Sequence, residues 1–356
     1  MSTSQPLYPS TALGKTSLIE LPSQAKFDTL FLADGAGSNI DDVTKRFWIV
    51  SAFEPVTLFS AIATRTEHIG LVYTVSVSDN EPNLVARQLA SLDHISHGRG
   101  GWNVVTTPGP GSLNLRVPKE EEKDSVAKAE QPLRVEQPIQ GHPVIAQAGT
   151  SAEGMAFGGA NADIIYCANY SIEDGQKTYH TYKSHTVAAG RKPDGLLILT
   201  DVAVVWGETQ EEAERKLREV SDLWPIEVAV HNLGMGFVIG EVDLDAPFPQ
   251  DYDRDAGSFR QTAERCSVGL GHRLLIGTTQ SIADDLQAWI EAEATDGFAV
   301  IQPLVIDGLR EFAEHIIPEL QRRGLFRSEY EGKTLRENLD VPRPENYYTL
   351  LRKGAA

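Results

Sequence analysis

The feature that most constrains the fold is a regular alternation of short apolar runs with longer amphipathic segments. The runs are nearly continuous in Val, Ile and Leu, as expected of strands that are buried on both faces of a sheet. The segments between them place apolar residues three and four positions apart, the spacing of a helix with one buried face. This order predicts a parallel sheet covered by helices. We count seven such strands, at residues 27–34, 68–76, 101–107, 143–149, 162–168, 196–207 and 298–305.

A barrel is the predicted closure of this sheet. Eight parallel strands that alternate with helices form the TIM-type (β/α)8 barrel, an α/β fold. Upstream of the first run there is only a helix fragment that contains Pro22, and before it a polar leader without a strand pattern. We therefore expect a barrel that lacks its first strand. Residues 1–17 are predicted to be a disordered leader, residues 18–340 a single incomplete barrel domain, and residues 341–356 a C-terminal tail.

Two long connections interrupt the alternation. Residues 108–142 are mostly charged residues, Pro and Gly, where a barrel usually has an apolar-faced helix. If the missing strand is counted as the first, this stretch follows the fourth strand and predicts a shortened insertion there. Residues 225–272 are rich in aromatic and acidic residues, which is compatible with a cover over the site or with a mobile surface loop.

Composition excludes several classes of function. The chain has 32 basic and 50 acidic residues and a formal charge of −18, which disfavours nucleic acid or an anionic membrane as a partner. Its two cysteines, Cys167 and Cys266, support neither a disulfide framework nor a metal site. The N-terminus lacks a signal-peptide pattern, and no long apolar run is present. We therefore expect a cytoplasmic protein that does not bind a membrane.

The carboxyl ends of the predicted strands carry the candidate binding groups. In a parallel barrel the residues that follow each strand line one face, which is where barrel enzymes bind their ligands. Small hydroxyl and amide side chains dominate there, and they suit an anion or the polar edge of a planar ring such as a flavin. The candidates are Asp34, Ser76, Ser78, Asn103, Thr107 and Ser151.

Each candidate also has a purely structural interpretation. Ser151 begins a predicted helix, so it is as readily an N-cap as a phosphate ligand. Asn103 lies in an apolar strand, where main-chain groups more often satisfy an amide than a ligand does. His68 and His272 precede apolar runs and are expected on the face opposite the site. No P-loop, no Rossmann glycine motif and no His-rich ligand cluster supports a nucleotide or metal enzyme.

Several blocks of the sequence are recognisable together. They are FDTLFLADG, EPVTLFSAIATRTEHIGL, NEPNLVARQLASLDHISHGRGGWNVVTT, GHPVIAQAGTSAEG and HRLLIGTTQSIADDLQAWIEAEATDGFAV. In this order, and over most of residues 18–107, 141–207 and 265–347, the chain resembles the nitrilotriacetate, EDTA and dibenzothiophene-sulfone monooxygenases. That group belongs to the bacterial-luciferase-like flavin-dependent monooxygenases.

The resemblance implies a two-component enzyme. Such a barrel takes reduced FMN from a separate NAD(P)H:flavin reductase, reacts it with O2, and oxygenates a small organic substrate through a flavin C4a-(hydro)peroxide. By motif position, Asp34, Ser76, Ser78 and Asn103 would approach the flavin, while Ser151 and Thr107 would approach its phosphate. The resemblance assigns no catalytic acid or base to this chain and no metal, and it implies a homodimer.

Two alternatives to this function remain open. A barrel without its first strand could be catalytically impaired and act as a partner subunit or a flavin binder. Hydride transfer with a deazaflavin or a bound flavin, as in other branches of the superfamily, would use the same fold. Binding of reduced FMN and the need for O2 separate these three possibilities.

Overall fold

The fold is seen in a computed structural model that describes residues 17–34, 53–77, 80–105, 134–233, 242–249, 257–304 and 307–344. Two of the predicted site residues, Ser78 and Thr107, lie outside these ranges. Most of the predicted insertion at residues 108–142 also lies outside them, as does the predicted leader up to residue 16.

Eight strands, all parallel, form one curled sheet with helices packed on it. The strands are β1 Thr29–Leu32, β2 Gly70–Ser76, β3 Gly100–Val105, β4 Val144–Gln147, β5 Ile164–Cys167, β6 Leu197–Trp206, β7 Arg273–Gly277 and β8 Gly297–Ile301. The α-helices are α1 Ser17–Gln24, α2 Pro55–Ala63, α3 Pro82–Ile95, α4 Ala152–Asn161, α5 Ile172–Ala188, α6 Gln210–Ser221, α7 Ile226–Asn232, α8 Phe259–Val268, α9 Thr279–Glu291, α10 Asp307–Glu311, α11 Ile317–Arg322 and α12 Leu335–Asn338.

The sheet order explains why the sequence count of seven strands was one too low. Strands β1 to β6 pair in chain order. The long β6 pairs with β5 through residues 197–200, with β8 through 199–203 and with β7 through 202–206. Because β8 overlaps both of the other partners, β5 and β7 lie on the same edge of β6. The five-residue β7 extends the position of β5 and does not occupy a separate place in the barrel.

The longest helix, α5, was also missed by the sequence analysis. Its sequence is mostly polar, and few of its residues are buried: Gly175, Tyr182 and Thr186. A helix with so narrow an apolar face has little hydrophobic periodicity, so the pattern that identifies helices is weak here. Its neighbour α4 packs closely on it because Gly159 has no side chain. A Cβ atom at Gly159 would lie 2.4 Å from the Cβ of His185.

The sheet is an open half-barrel, as expected of a barrel without its first strand. Among the described residues, β1 pairs only with β2 and β8 pairs only with β6. The element immediately before β1 is the helix α1. Phe31, on the inner face of β1, contacts Tyr166 of β5 in a tilted arrangement with ring centroids 4.5 Å apart, and it is 40% exposed. No described strand lies beyond β1 to cover the ring.

The N-terminal end of the barrel is closed by the short helix α12. Leu335 is fully buried against Val72 and Val144 on the inner face of the sheet. A Cβ atom at Gly70 would lie 2.4 Å from a methyl group of Leu335, so only glycine allows this approach. The plug fixes the other, carboxyl-terminal end of the strands as the open end, which is where a ligand can enter.

Arg99, predicted to be structural, joins the loops on the closed side. Its five N–H groups donate to five oxygens, and the residue is 1% exposed. The acceptors are the carbonyls of Ala63, Thr66, Ile69 and Ser96 and the hydroxyl of Thr66. Burial lowers the pKa of the guanidinium to about 10. The loops at the ends of α2 and α3 are thereby fastened together.

Candidate functional site

The inner face of β2 and β3 carries a pair of polar side chains near the open end of the barrel. Thr74 and Asn103 are register partners on the two strands, and both are buried. The Nδ2 atom of Asn103 donates to Oγ1 of Thr74 at 3.0 Å. The Oδ1 atom of Asn103 is buried and has no hydrogen-bond partner among the described residues. A buried acceptor in this state is uncommon, and a donor from a bound molecule would satisfy it.

Ser76 lies on the same face, two residues beyond Thr74. It is the last residue of β2, is 7% exposed and is the register partner of Val105. The structure therefore brings Ser76 and Asn103 together around Thr74, which the sequence analysis did not select. Alternation along β2 places Thr74 and Ser76 on one face, and only the register with β3 identifies Asn103 as their neighbour.

The remaining described candidates lie at the ends of other strands. Asp34 follows β1 and is exposed. Ser151 is the N-cap of α4, and its Oγ atom accepts a hydrogen bond from the N–H of Gly154 at 3.0 Å. The hydroxyl of Ser151 therefore has the capping role that the sequence analysis weighed against phosphate binding. The flavin contacts of Asp34, Ser76, Asn103 and Ser151 remain predictions.

An acid–base pair lies where the sequence analysis expected a structural histidine. The Nδ1 atom of His272 lies 3.2 Å from Oδ2 of Asp201, an ion-pair distance without hydrogen-bond geometry. Asp201 is on the inner face of β6, and His272 precedes β7. Because β7 pairs with residues 202–206 in the second half of β6, it begins in the middle of the barrel. His272, immediately before β7, therefore also lies in the middle and not at the closed end. Its side chain is 29% exposed, so the ring is accessible from the barrel interior.

Tyr166 and Cys167 complete the wall near this pair. Tyr166 points inward from β5, and burial raises the pKa of its hydroxyl. Cys167 points to the outer layer, where it receives a hydrogen bond from Nδ2 of Asn169 at 3.2 Å. Burial raises the pKa of the Cys167 thiol to about 12. A thiol with so high a pKa is a poor nucleophile, in agreement with the predicted core role.

A cavity of about 410 Å³ lies at the opposite end of the barrel, beside the starts of β6 and β8. Lys183 on its wall donates to Asp296 at 2.9 Å and to two carbonyls, so its charge is already neutralised. The position beside the closed end separates this cavity from Asn103 and His272, and we do not assign the function to it.

Two further observations concern only the described ranges. No group of three or more His, Cys, Asp or Glu side chains there is arranged to hold a metal ion. None of the helices in those ranges combines the length and the apolar character that crossing a lipid bilayer requires.

Comparisons with known proteins identify the family. The model of the luciferase-like monooxygenase family matches residues 15–122 and 124–296. The chain is 33% identical to nitrilotriacetate monooxygenase component A from Aminobacter aminovorans, over 92% of this chain and 90% of that protein. It is 31% identical to dibenzothiophene-sulfone monooxygenase from Rhodococcus erythropolis, over 90% of this chain and 88% of that protein.

A solved structure supports the same assignment. The structure of EDTA monooxygenase from Chelativorans sp. BNC1 superposes with a TM-score of 0.72 at 26% identity, covering 91% of this chain and 90% of that one. These matches confirm the resemblance found in the sequence. Since the family model covers most of the chain and two relatives exceed 30% identity over nearly its whole length, the chain belongs to the luciferase-like monooxygenase family.

Proposed function

We propose that the chain is a flavin-dependent monooxygenase that takes reduced FMN from a separate NAD(P)H:flavin reductase and oxygenates a small organic substrate. The similar proteins are named as monooxygenases, and one is named component A, as expected of an enzyme that works with a second component. The observation that carries the proposal is the buried, unpaired Oδ1 atom of Asn103 at the open end of the barrel.

The chemistry of Asn103 selects the kind of ligand. One N–H of its Nδ2 group is bonded to Thr74, and its Oδ1 acceptor has no partner among the described residues. A ligand that presents an N–H donor to Oδ1 would satisfy it, and ligand pockets are typically apolar with a few such polar groups. The ring edge of a flavin carries such an N–H between two carbonyls. Asn103 would hold this edge, and the hydroxyl of Ser76 lies on the same face.

The surrounding residues fit the reaction. Reduced FMN, when bound, supplies the electrons that activate O2. Phe31, Tyr166 and Leu199 give the inner face an apolar wall, of the kind that limits the access of water to reacting groups. Asp201 and His272 form the described acid–base pair on this face, and a paired imidazole is the usual group for moving a proton near neutral pH.

The first test is an anaerobic titration of the purified chain with reduced FMN, followed by mixing with O2. We expect saturable binding, and reoxidation that is slower for bound than for free reduced FMN because the barrel shields the ring. Asn103→Leu is expected to weaken reduced FMN binding about tenfold, the effect of one lost hydrogen bond to a buried acceptor.

A matched control is available for this titration. Gln302 also carries a buried amide without partners among the described residues. Alternation along β8 places it on the outer face with Phe298 and Val300, and its Oε1 atom lies beside Gly308. Gln302→Met should therefore leave the affinity for reduced FMN unchanged. Absence of binding by the wild-type chain, or equal affinities of the wild type and Asn103→Leu, would contradict the proposal.

The edges of β1 and β8 that no described strand pairs with favour one other function. A barrel that lacks a strand could bind flavin and pair with a complete relative without catalysing the reaction itself. In that case reduced FMN would bind and still be reoxidised by O2 at the rate of free reduced FMN. The mixing experiment therefore separates the two functions.

A further inference from the structure

Asp201 and His272 lie at a break along one edge of β6. On that edge β5 pairs with β6 up to Thr200, and β7 pairs with it from Val202 onwards. Asp201 lies between the two pairings, with His272 beside it. Alternation along β6 puts Asp201 on the same face as Leu199, which packs in the cluster on the inner face of the sheet. The break therefore turns this pair towards the barrel interior.

The pair presents two hydrogen-bond acceptors to the interior. The carboxylate of Asp201 accepts no hydrogen bond from a described residue, and its side chain is 14% exposed. The Nδ1 atom of His272 is buried next to this carboxylate, whereas the rest of the ring is partly exposed. A carboxylate at Nδ1 holds the proton of the neutral ring there and leaves Nε2 as an acceptor. A ligand that brings several donors would satisfy both groups.

The charges of the strands favour a positively charged ligand. The eight described strands contain only two charged residues, Asp201 and Arg273. Arg273 points away from the interior, since it pairs with Asp285 at 2.7 Å and its guanidinium packs on the ring of Trp289 in α9. Asp201 is therefore the one charged residue that these strands place on the inner face. In such an interior a cation is attracted and an anion is repelled.

The surroundings of the pair are apolar. Ala299 is the partner of Asp201 on the other edge of β6, so only a methyl group flanks the carboxylate there. Tyr166 and Leu199 belong to the same inner cluster as Ala299. Phe31 contacts Tyr166 from across the barrel and leaves 40% of its own surface exposed. An apolar or aromatic group bound here would cover this surface, which favours binding.

We infer that Asp201 and His272 select a substrate that carries an ammonium group on an apolar or aromatic body. The ammonium would donate to the carboxylate of Asp201 and to Nε2 of His272, and the body would lie against Phe31. A carboxylate on the substrate would bring further acceptors and a negative charge to the same two groups. The inference rests on the proposed function and adds a substrate class to it.

The test compares two small probes with the same ring and opposite charge, benzylamine and benzoate. Each is titrated anaerobically into the purified chain saturated with reduced FMN, and binding is followed by calorimetry. The wild type is expected to bind benzylamine at least about tenfold more tightly than benzoate, the effect of one charge-assisted hydrogen bond. Asp201→Asn keeps the shape and removes the charge, so it should reduce this preference to less than about twofold.

Asp222→Asn is the matched control. Asp222 is exposed at the end of α6, outside the barrel interior, so this variant should keep the preference of the wild type. If Asp201→Asn does not fold, the imidazole nitrogen resonances of His272 in the wild type still provide a test. Benzylamine should shift the Nε2 resonance and benzoate should not, and an Nε2 resonance that benzylamine leaves unchanged overturns the inference.

The outcomes separate this inference from the proposed function. A wild type that does not bind reduced FMN contradicts the proposed function and the substrate class together. A wild type that binds reduced FMN overturns the inference alone if it binds neither probe, or if it binds benzoate as tightly as benzylamine. An Asp201→Asn variant that keeps the preference for benzylamine has the same consequence.

Discussion

Arg336 donates to both carboxylate oxygens of Asp163, from Nη1 to Oδ1 at 2.9 Å and from Nη2 to Oδ2 at 2.7 Å. Both side chains are buried. The pair fastens α12 to the start of β5, across 173 residues of chain. Asp163 also accepts from the N–H of Ile145, so the same carboxylate fixes the spacing of β4 and β5. The closed end of the barrel therefore depends on a charge pair that is removed from water.

Arg336→Met is expected to lower the free energy of unfolding by about 3–5 kcal/mol, because the carboxylate of Asp163 is left buried without its partner. Arg215→Met, at an exposed ion pair, should cost less than about 1 kcal/mol. Urea unfolding measures both. Adding Asp163→Asn to Arg336→Met should cost much less than the sum of the single changes, and additive effects would show that the pair is not coupled.

Stability should fall at mildly acidic pH because of His142. Its Nδ1 atom lies 3.0 Å from Nη2 of Arg336. Burial lowers the pKa of His142 below its ordinary value of 6.5, and the charge of Arg336 acts in the same direction. The unfolded chain therefore binds the proton more readily, so this contribution is fully present above pH 6.5 and is lost as the pH falls from there towards the folded-state pKa.

Within that window the loss can reach about 1.4 kcal/mol per pH unit. Thermal unfolding from pH 7.5 to about pH 5 measures it. His142→Gln should reduce the acid sensitivity, whereas His180→Gln, at an exposed position of α5, should not. Identical pH dependence in the wild type and His142→Gln would contradict the prediction.

Arg99→Lys should be strongly destabilising although the charge is kept. A lysine has three donors, and the arginine satisfies five buried acceptors. At least two acceptors would lose their partner, and the expected cost is about 2 kcal/mol or more. The same change at the exposed Arg87 of α3 should stay within about 0.5 kcal/mol. A similar urea midpoint for the two variants would show that the hydrogen bonds of Arg99 contribute little.

Gln302→Met should stabilise the fold. Both polar atoms of Gln302 are buried beside Gly308 without partners in the described part of the chain, and methionine has a similar shape without the desolvation cost. The expected gain is about 1 kcal/mol or more, seen as a higher urea midpoint at an unchanged slope. A loss of stability would mean that the amide has a partner, such as an ordered water molecule.

The pairing with Asp201 should determine the tautomer of His272. A carboxylate next to Nδ1 keeps the proton of the neutral ring on that nitrogen and leaves Nε2 as the acceptor. Nitrogen NMR of the imidazole should therefore show the Nδ1–H tautomer in the wild type and a shift towards Nε2–H in Asp201→Asn. A wild type with its proton on Nε2 would argue against an acid–base role for this pair.

Much of the fold could be predicted because the signal is local. Strands that are buried on both faces must be apolar throughout. Seven of the eight strands, all except β7, could therefore be predicted from their composition. The strand β7 escaped detection because it begins directly after the long irregular connection at residues 225–272. The helix α5 escaped detection because the side chains that it buries are too few to form a periodic pattern.

The candidate site could be predicted only in part. Position at a strand end identified Ser76 and Asn103, since the carboxyl ends of parallel strands share one edge. It could not identify Thr74, whose importance comes from the register of β2 with β3. It also placed His272 at the closed end of the barrel, whereas the residue lies in the middle. The rule that residues before a strand lie at the closed end assumes that every strand starts at the same level.

The sequence by itself determined the order of seven of the eight strands, the parallel sheet, the absence of a strand pattern before β1 and the family of the protein. These properties follow from local hydrophobic periodicity and from motifs that are contiguous in the chain. Only the tertiary structure decided which edges of β1 and β8 lack a described partner strand, the pair of Asp201 with His272, and the bond from Tyr182 to Gly149. Each of these joins residues far apart in the chain, and such contacts depend on strand register and helix packing, which no local pattern encodes.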